Sequence, residues 1–215
     1  MSFQLHPAAA DGQPLFKNAL LSIKPPPAYN VEKTFFGVAM TDFLSEESIL
    51  MHREYQRGIR LRYSILEKSV NGIKNKKSSE IIRQSIPTDV KKEVLSLLPE
   101  LELHELFFDS FHAERFSDSP SAVRSFGSVG GLLNSVFSLG ISAREGFVCV
   151  ARTRGGLSTY HTAYPYHQII STPPLLAVDI CEHAYFSDYA FDKRAYLLAA
   201  LPHLNLCRLD GSDGE

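Results

Sequence analysis

Asp179-Ile180-Cys181-Glu182-His183-Ala184-Tyr185 is the stretch on which the fold of this chain turns. A carboxylate and an imidazole stand four residues apart, directly after the apolar run Leu175-Leu176-Ala177-Val178. That run is short, continuous and opened by Pro173-Pro174, which predicts a buried strand ending at Asp179. A strand end can aim Asp179 and His183 into one cavity, and two N/O ligands there suit iron, manganese or zinc. The same pair also fits a capping aspartate beside a core histidine, and D-x-x-x-H alone leaves both readings open.

Further ligands are sought upstream. Ser45-Glu46-Glu47-Ser48 is a helix start, with a hydroxyl cap and acids in the first turn. The helix it opens extends to about Lys68, with His52, Tyr55, Gln56, Ile59, Tyr63 and Leu66 on one inward stripe. Asn71-Gly72 makes a turn. A second helical region begins near Ser78, breaks at Pro87, restarts with Thr88 as cap, and is interrupted again at Pro99. From Glu100 to His112, the residues Leu101, His104, Phe108 and Phe111 form the buried stripe. The first half therefore reads as a helical hairpin with His52 and His104 on facing inner sides, where isolated histidines are also at home as core residues.

The second half changes character after the polar segment Ser117–Ser121. Phe126-Gly127-Ser128-Val129 joins two short helices, the second reaching about Leu139. Phe147–Thr153 and Leu157–His161 flank an Arg154-Gly155-Gly156 turn and pair as strands, with the strand before Asp179 as a third member. Lys193 to about Leu201 is a closing helix. The fold class expected is α+β: an extended arm over 1–44, a helical hairpin over 45–116, and an α/β half with a three-stranded antiparallel sheet over 117–215.

Composition narrows the function classes. With 215 residues, 44% apolar and 21% charged, the chain can bury a sizeable core. A net charge of −2 gives no global field toward nucleic acid, so no direct sequence-specific nucleic-acid binding is expected. Arg53, Arg57, Arg60 and Arg62, and Lys74, Lys76 and Lys77, form local basic groups that read as solvated surface. Cys149, Cys181 and Cys207 lack C-x-x-C spacing, which speaks against a zinc ribbon or disulfide scaffold and for a reducing compartment. No apolar run approaches ~20 residues, so no membrane span is expected. The N-terminus has no secretory apolar core and, with Lys17 and Lys24 but no arginine, matches a mitochondrial presequence poorly.

His52, His104, Asp179 and His183, from two helices, a strand end and the turn after it, together resemble the ligand layout of the iron/manganese superoxide dismutase family. The likeness spans about Ser45 to Leu206. It is most specific at Asp179-x-x-Glu182-His183-Ala184-Tyr185-x-x-Asp188-Tyr189, where the family has D-x-W-E-H-A-Y-Y-x-D-Y. Phe126-Gly127-Ser128, His104-x-x-Phe107, Tyr196 and Asn205 also fit family positions. The resemblance implies that His52, His104, Asp179 and His183 hold one ion of iron or manganese, and that Glu182 bridges to a partner subunit.

The same resemblance exposes departures. Where the family reads H-x-x-x-H-H-x-x-Y, this chain has Gln56 for a relay histidine and Arg60 for the gateway tyrosine. The tyrosine that would bond that histidine across the subunit interface is Phe186, which has no polar atom. Phe147, Cys149, Cys181, Leu201 and Leu206 stand at tryptophan positions, and the chain has no tryptophan, so a thinned aromatic wall is expected. Glu100 falls at one of two family positions for a glutamine that steadies the site, with His161 or His167 as candidates for the other.

The implied function is a divergent, dismutase-like protein with weak or no turnover. It would serve as a structural subunit of a larger assembly, similar to the dismutase-like chains of the mitochondrial ribosome small subunit. The arm and Arg57 and Arg60 suit such docking. The alternative is an active iron or manganese dismutase in which Arg60 attracts the superoxide anion. A homodimer or a heterodimer with a related chain, and a mitochondrial location, follow from the resemblance alone.

Overall fold

Ser45 sets the first helix: its hydroxyl oxygen accepts the Ser48 N–H at 3.1 Å, and Glu46 and Glu47 occupy the positive end of the helix dipole. In the computed structural model, which describes residues 40–111 and 118–211, this helix α1 runs Glu46–Ser69. A single turn α2 (Ser78–Ile81) follows, then α3 (Thr88–Asp109) returns antiparallel against α1. Pro99 does not interrupt α3, contrary to the expectation from sequence. An internal proline costs about 3 kcal/mol in an isolated helix. Here Leu97, Leu98, Leu101 and Leu103 around it are all buried, and each contributes about 1.5–3 kcal/mol. Packing outweighs the lost hydrogen bond. Thr88 is the first helical residue rather than the cap, a position held by Pro87.

The expected arm 1–44 falls outside the described residues except for its last five. Met40–Leu44 form a turn, with Met40, Phe43 and Leu44 buried. Phe43 packs on Phe111 with ring centroids 4.9 Å apart, and its carbonyl accepts the Tyr189 hydroxyl. The expected boundary near residue 117 adjoins 112–117, also outside the described residues.

The second half opens with α4 (Pro120–Phe126) and α5 (Val129–Ser142), joined at Gly127 in the left-handed region and capped by Ser119 and Ser128. Strands β1 (Phe147–Thr153), β2 (Gly156–Thr162) and β3 (Pro174–Asp179) form one antiparallel sheet in the order β2-β1-β3. Phe147 sits opposite Asp179 on one side and Thr162 on the other. The chain closes with α6 (Gln168–Ser171), α7 (Glu182–Tyr189), α8 (Lys193–Ala200), a 3₁₀ turn at Leu201–His203 and α9 (Cys207–Asp210). The segment holding His183 was expected as a turn and is the helix α7. Eight residues nucleate poorly alone. Docking supplies the difference, since the Asp188 carboxylate accepts the Ser45 N–H at 2.8 Å and so ties α7 to the start of α1.

The main core lies between the sheet, the lower half of the hairpin, α5 and α8. A smaller one at the far end of the hairpin joins Ile59, Tyr63, Ile73, Ile81 and the leucines of α3. No helix among the described residues is long and apolar enough to cross a membrane.

Gly146 fixes the approach of β1 to β3. Its φ is +105°, and a Cβ there would lie 2.3 Å from the Thr162 carbonyl oxygen. Its own carbonyl accepts the Ile180 N–H at 2.9 Å, directly after Asp179. Gly146→Ala is expected to destabilise the protein by at least ~2 kcal/mol, read as a lowered urea midpoint. An unchanged midpoint would show that the turn relaxes freely.

Candidate metal centre

Four elements deliver four side chains to one point. His52 comes from α1, His104 from α3, Asp179 from the end of β3 and His183 from the first turn of α7. One ligand atom from each lies within 4.8 Å of every other. Asp179 Oδ2 is 3.1 Å from His52 Nε2, 3.0 Å from His183 Nε2 and 3.6 Å from His104 Nε2. The side chains of His52, His104 and Asp179 are fully buried, while that of His183 is 27% exposed.

Backbone contacts orient these groups. The Cys181 N–H donates to Asp179 Oδ1 at 2.8 Å, which leaves Oδ2 to the imidazoles. The buried Tyr196 hydroxyl donates to the Asp179 carbonyl at 3.0 Å. His104 Nδ1 lies 2.7 Å from the Glu100 carbonyl. A carbonyl can only accept, so Nδ1 carries the proton and Nε2 turns its lone pair toward the cluster.

The arrangement fits a cation better than it fits a hydrogen-bonded knot. Asp179 Oδ2 and His52 Nε2 are buried and within 3.1 Å, yet neither has an aligned hydrogen-bond partner. Buried polar atoms are ordinarily paired, and exceptions need a reason. Lone pairs converging on a shared point supply one. Three imidazole nitrogens and a carboxylate oxygen form a donor set for a first-row transition metal.

Charge follows the same logic. Burial alone would raise the Asp179 carboxyl, but His183 and His52 hold it well below the usual carboxylate range. Burial works against protonation of His183 as well, but the Asp179 carboxylate outweighs it and raises this imidazole. Burial lowers His52, and it pushes His104 down to about 4.

Aromatic rings wall the cluster despite the missing tryptophans. Phe107 and Phe108 lie 4.7 and 5.1 Å from the His52 ring, Phe147 lies 5.2 Å from His104, and Tyr166 packs on Phe147 at 5.7 Å. These rings come from α3, β1 and the segment before α6. Cys181 uses its sulfur to accept the Gly146 N–H at 3.1 Å.

Arg60, the expected gateway residue, is engaged in an ion pair. Its guanidinium pairs with Glu105 on the exposed face between α1 and α3. Tyr55, noted in sequence only as part of the inward stripe, is the residue that reaches the cluster. Its ring stacks on His183 with centroids 4.1 Å apart, and its hydroxyl donates to Glu100 Oε1 at 2.9 Å. The position of Tyr55 one helical turn after His52 was the available signal. His161 bonds the Glu145 carbonyl and His167 is exposed beside Tyr164, so Tyr166 rather than either histidine lines this side.

Residues 121–209 match the family model described as iron/manganese superoxide dismutases, C-terminal domain. Over that stretch the chain is similar to the iron/manganese superoxide dismutases. The match takes in Asp179 and His183, whereas His52 and His104 come from the helical hairpin ahead of it. The order of elements, a helical N-terminal region and then an α/β half with a three-stranded antiparallel sheet, is that of the iron/manganese superoxide dismutase fold. No curated protein matches the chain.

The depressed His104 makes the metal-free protein acid-sensitive. Between pH 6.5, the ordinary histidine value, and about 4, the unfolded chain holds a proton on this side chain that the folded chain rejects. Stability from this group is therefore full above 6.5 and lost as pH falls to 4, a loss of about 3 kcal/mol. Across that window the opposite contribution of His183, whose value is raised, is already in place. Urea unfolding of metal-free protein at pH 6.5, 5 and 4 should show the fall, and a flat profile would contradict the buried neutral His104.

Proposed function

We propose that this dismutase-like protein binds one iron or manganese ion through His52, His104, Asp179 and His183, turns superoxide over weakly if at all, and acts as a structural subunit of a larger assembly. The observation that carries the metal is the buried, unpaired Asp179 Oδ2 facing three imidazole nitrogens. A bound ion would supply one-electron chemistry, accepting an electron from one superoxide and returning it to the next. The protein's part is to hold the ligands rigid, keep His104 as the Nδ1–H tautomer and exclude bulk water through Phe107, Phe108 and Phe147.

Low turnover follows from what surrounds the ligands. Fast dismutation needs proton delivery, and the relay pair of the family is here Gln56 and Phe186, of which only Gln56 is polar. Arg60 is engaged by Glu105 and places no unpaired charge at the mouth of the site. Loss of one such supporting partner typically costs 10–100-fold. The assembly role is supported by exposed aliphatic and aromatic residues. Leu61 and Ile65 share one outer face of α1, and Phe186 and Phe191 pack edge-on at the end of α7. A dimer with a second copy or a related chain would pass through the Glu182–Phe186 surface, and a mitochondrial ribosome is the assembly the resemblance favours. A second reading, an active dismutase, draws support from the Tyr55–Glu100 pair beside the ligands.

Protein purified under iron- or manganese-replete conditions should carry about one ion per chain, and Asp179→Ala should carry none. A fully loaded Asp179→Ala would remove the ligand assignment. The loaded wild type should dismutate superoxide at least ~100-fold below the diffusional ceiling of about 10⁸–10⁹ M⁻¹s⁻¹. A rate at the ceiling would establish the enzyme instead. Native sizing of the protein in cell extract should place it in a large particle, and a free dimer would count against the subunit role.

A further inference from the structure

We propose that a second pocket, between the first half of α3 and the loop ahead of α6, binds a nucleotide, with its base on Tyr164 and its phosphate at Lys91, Lys92 and His167. None of the four candidate metal ligands lines this pocket, so the proposal stands apart from the metal reading.

The pocket has two walls. It encloses about 360 Å³, within the range of small-molecule sites. One wall is a single face of α3, where Thr88, Lys91, Lys92 and Leu95 recur at spacings of three and four residues. The other wall is Tyr164, Pro165 and His167, from the segment between β2 and α6. Leu95 and Pro165 contribute apolar surface to the two sides.

Tyr164 is a ring held in place without being buried. It is 65% exposed, yet it stands at 88° to Tyr166 with ring centroids 6.0 Å apart. Tyr166 packs in turn on the buried Phe147, and its N–H donates to the Ala163 carbonyl at 2.8 Å. The loop that carries Tyr164 is thus anchored to the core. A T-shaped contact occupies at most one face of a ring, which leaves the other as a platform for a second ring.

Charge selects an anion. Three basic side chains line the pocket and no carboxylate does. Lys91 donates to the neutral Ile82 carbonyl at 3.2 Å, so its charge is not cancelled there. Asp89 and Glu93, the acids nearest in sequence, are exposed on α3 outside the pocket. The His167 imidazole and the Thr88 hydroxyl add hydrogen-bond donors for anionic oxygens.

The ring platform is on the loop wall, and both ammonium groups are on the helix wall. A ligand with a flat ring at one end and an anion at the other therefore suits the site better than a compact aromatic acid. A nucleotide is built that way, with a sugar between base and phosphate. Stacking on an aromatic side chain beside basic groups is a general means of holding an unpaired nucleotide. That chemistry is shared by a free nucleotide and by an exposed nucleotide of a single strand.

The probe is adenosine monophosphate, titrated by calorimetry into the full-length protein. Binding with a Kd below ~1 mM is expected. Adenosine and inorganic phosphate should each bind at least ~10-fold more weakly, because each makes only part of the contacts. Tyr164→Ala should weaken the nucleotide at least ~10-fold, whereas Tyr164→Phe keeps the ring and should match wild type. Lys92→Ala should weaken it and flatten its salt dependence, and Lys76→Ala, outside the pocket, should change nothing. A short oligoadenylate separates the sources: tighter binding than the monophosphate, lost in Tyr164→Ala, assigns the site to a single strand, and equal binding assigns it to the free nucleotide. No nucleotide binding at ~10 mM would overturn the site. So would phosphate binding as tightly as the nucleotide, or a folded Tyr164→Ala that binds like wild type. A protein that takes up no metal but binds the nucleotide would remove the function proposed above and leave this site in place.

Discussion

One buried carboxylate constrains the whole molecule. Asp179 is fully enclosed at the end of β3 and stays ionised there. An isolated charge in such a place would cost far more than the stability of a typical domain. It is tolerated because one oxygen takes the Cys181 N–H and the other is ringed by imidazoles from three helices. Helices α1, α3 and α7 therefore have to meet at the strand end. The hairpin, the sheet and the closing helix are arranged so that they do.

Several otherwise unrelated contacts find their place in that constraint. Tyr196 is buried in α8 so that its hydroxyl can hold the Asp179 carbonyl. Gly146 lacks a side chain so that β1 can turn under Thr162 and still accept the Ile180 N–H. Asp188 ties α7 to the first turn of α1, which fixes His183 relative to His52. Each contact is worth only about 0.5–1.5 kcal/mol by itself. Their shared effect is positional, because ligand atoms must be held to fractions of an ångström.

The parts of this arrangement with a local cause were legible in the sequence. The Ser45 cap, the strand before Asp179, the Phe126–Val129 junction and the two inward histidines each follow from neighbouring residues. What the sequence hid depends on distant contacts. Pro99 looks like a break until the buried leucines around it are known. The helix at Glu182 looks like a turn until Asp188 finds Ser45. The motif pointed to Arg60 as the gate because it assumed that a family position keeps its orientation. Glu105, 45 residues away, pairs with that guanidinium, while Tyr55 is the residue that stacks on His183.

The contrast between an intact ligand set and altered surroundings has a physical explanation that does not require catalysis. Any one of the four ligands, if removed, leaves a buried charge or a buried lone pair without compensation, a loss of several kcal/mol. The relay and gateway positions carry no such penalty: Gln56 is half-buried, and Arg60 and Phe186 face solvent in the described chain. Ligands in a closed core are locked in by stability, whereas residues at the rim are free to change with the partner or the chemistry. An intact His₃Asp cluster therefore fits a bound cation and is weak support for fast turnover.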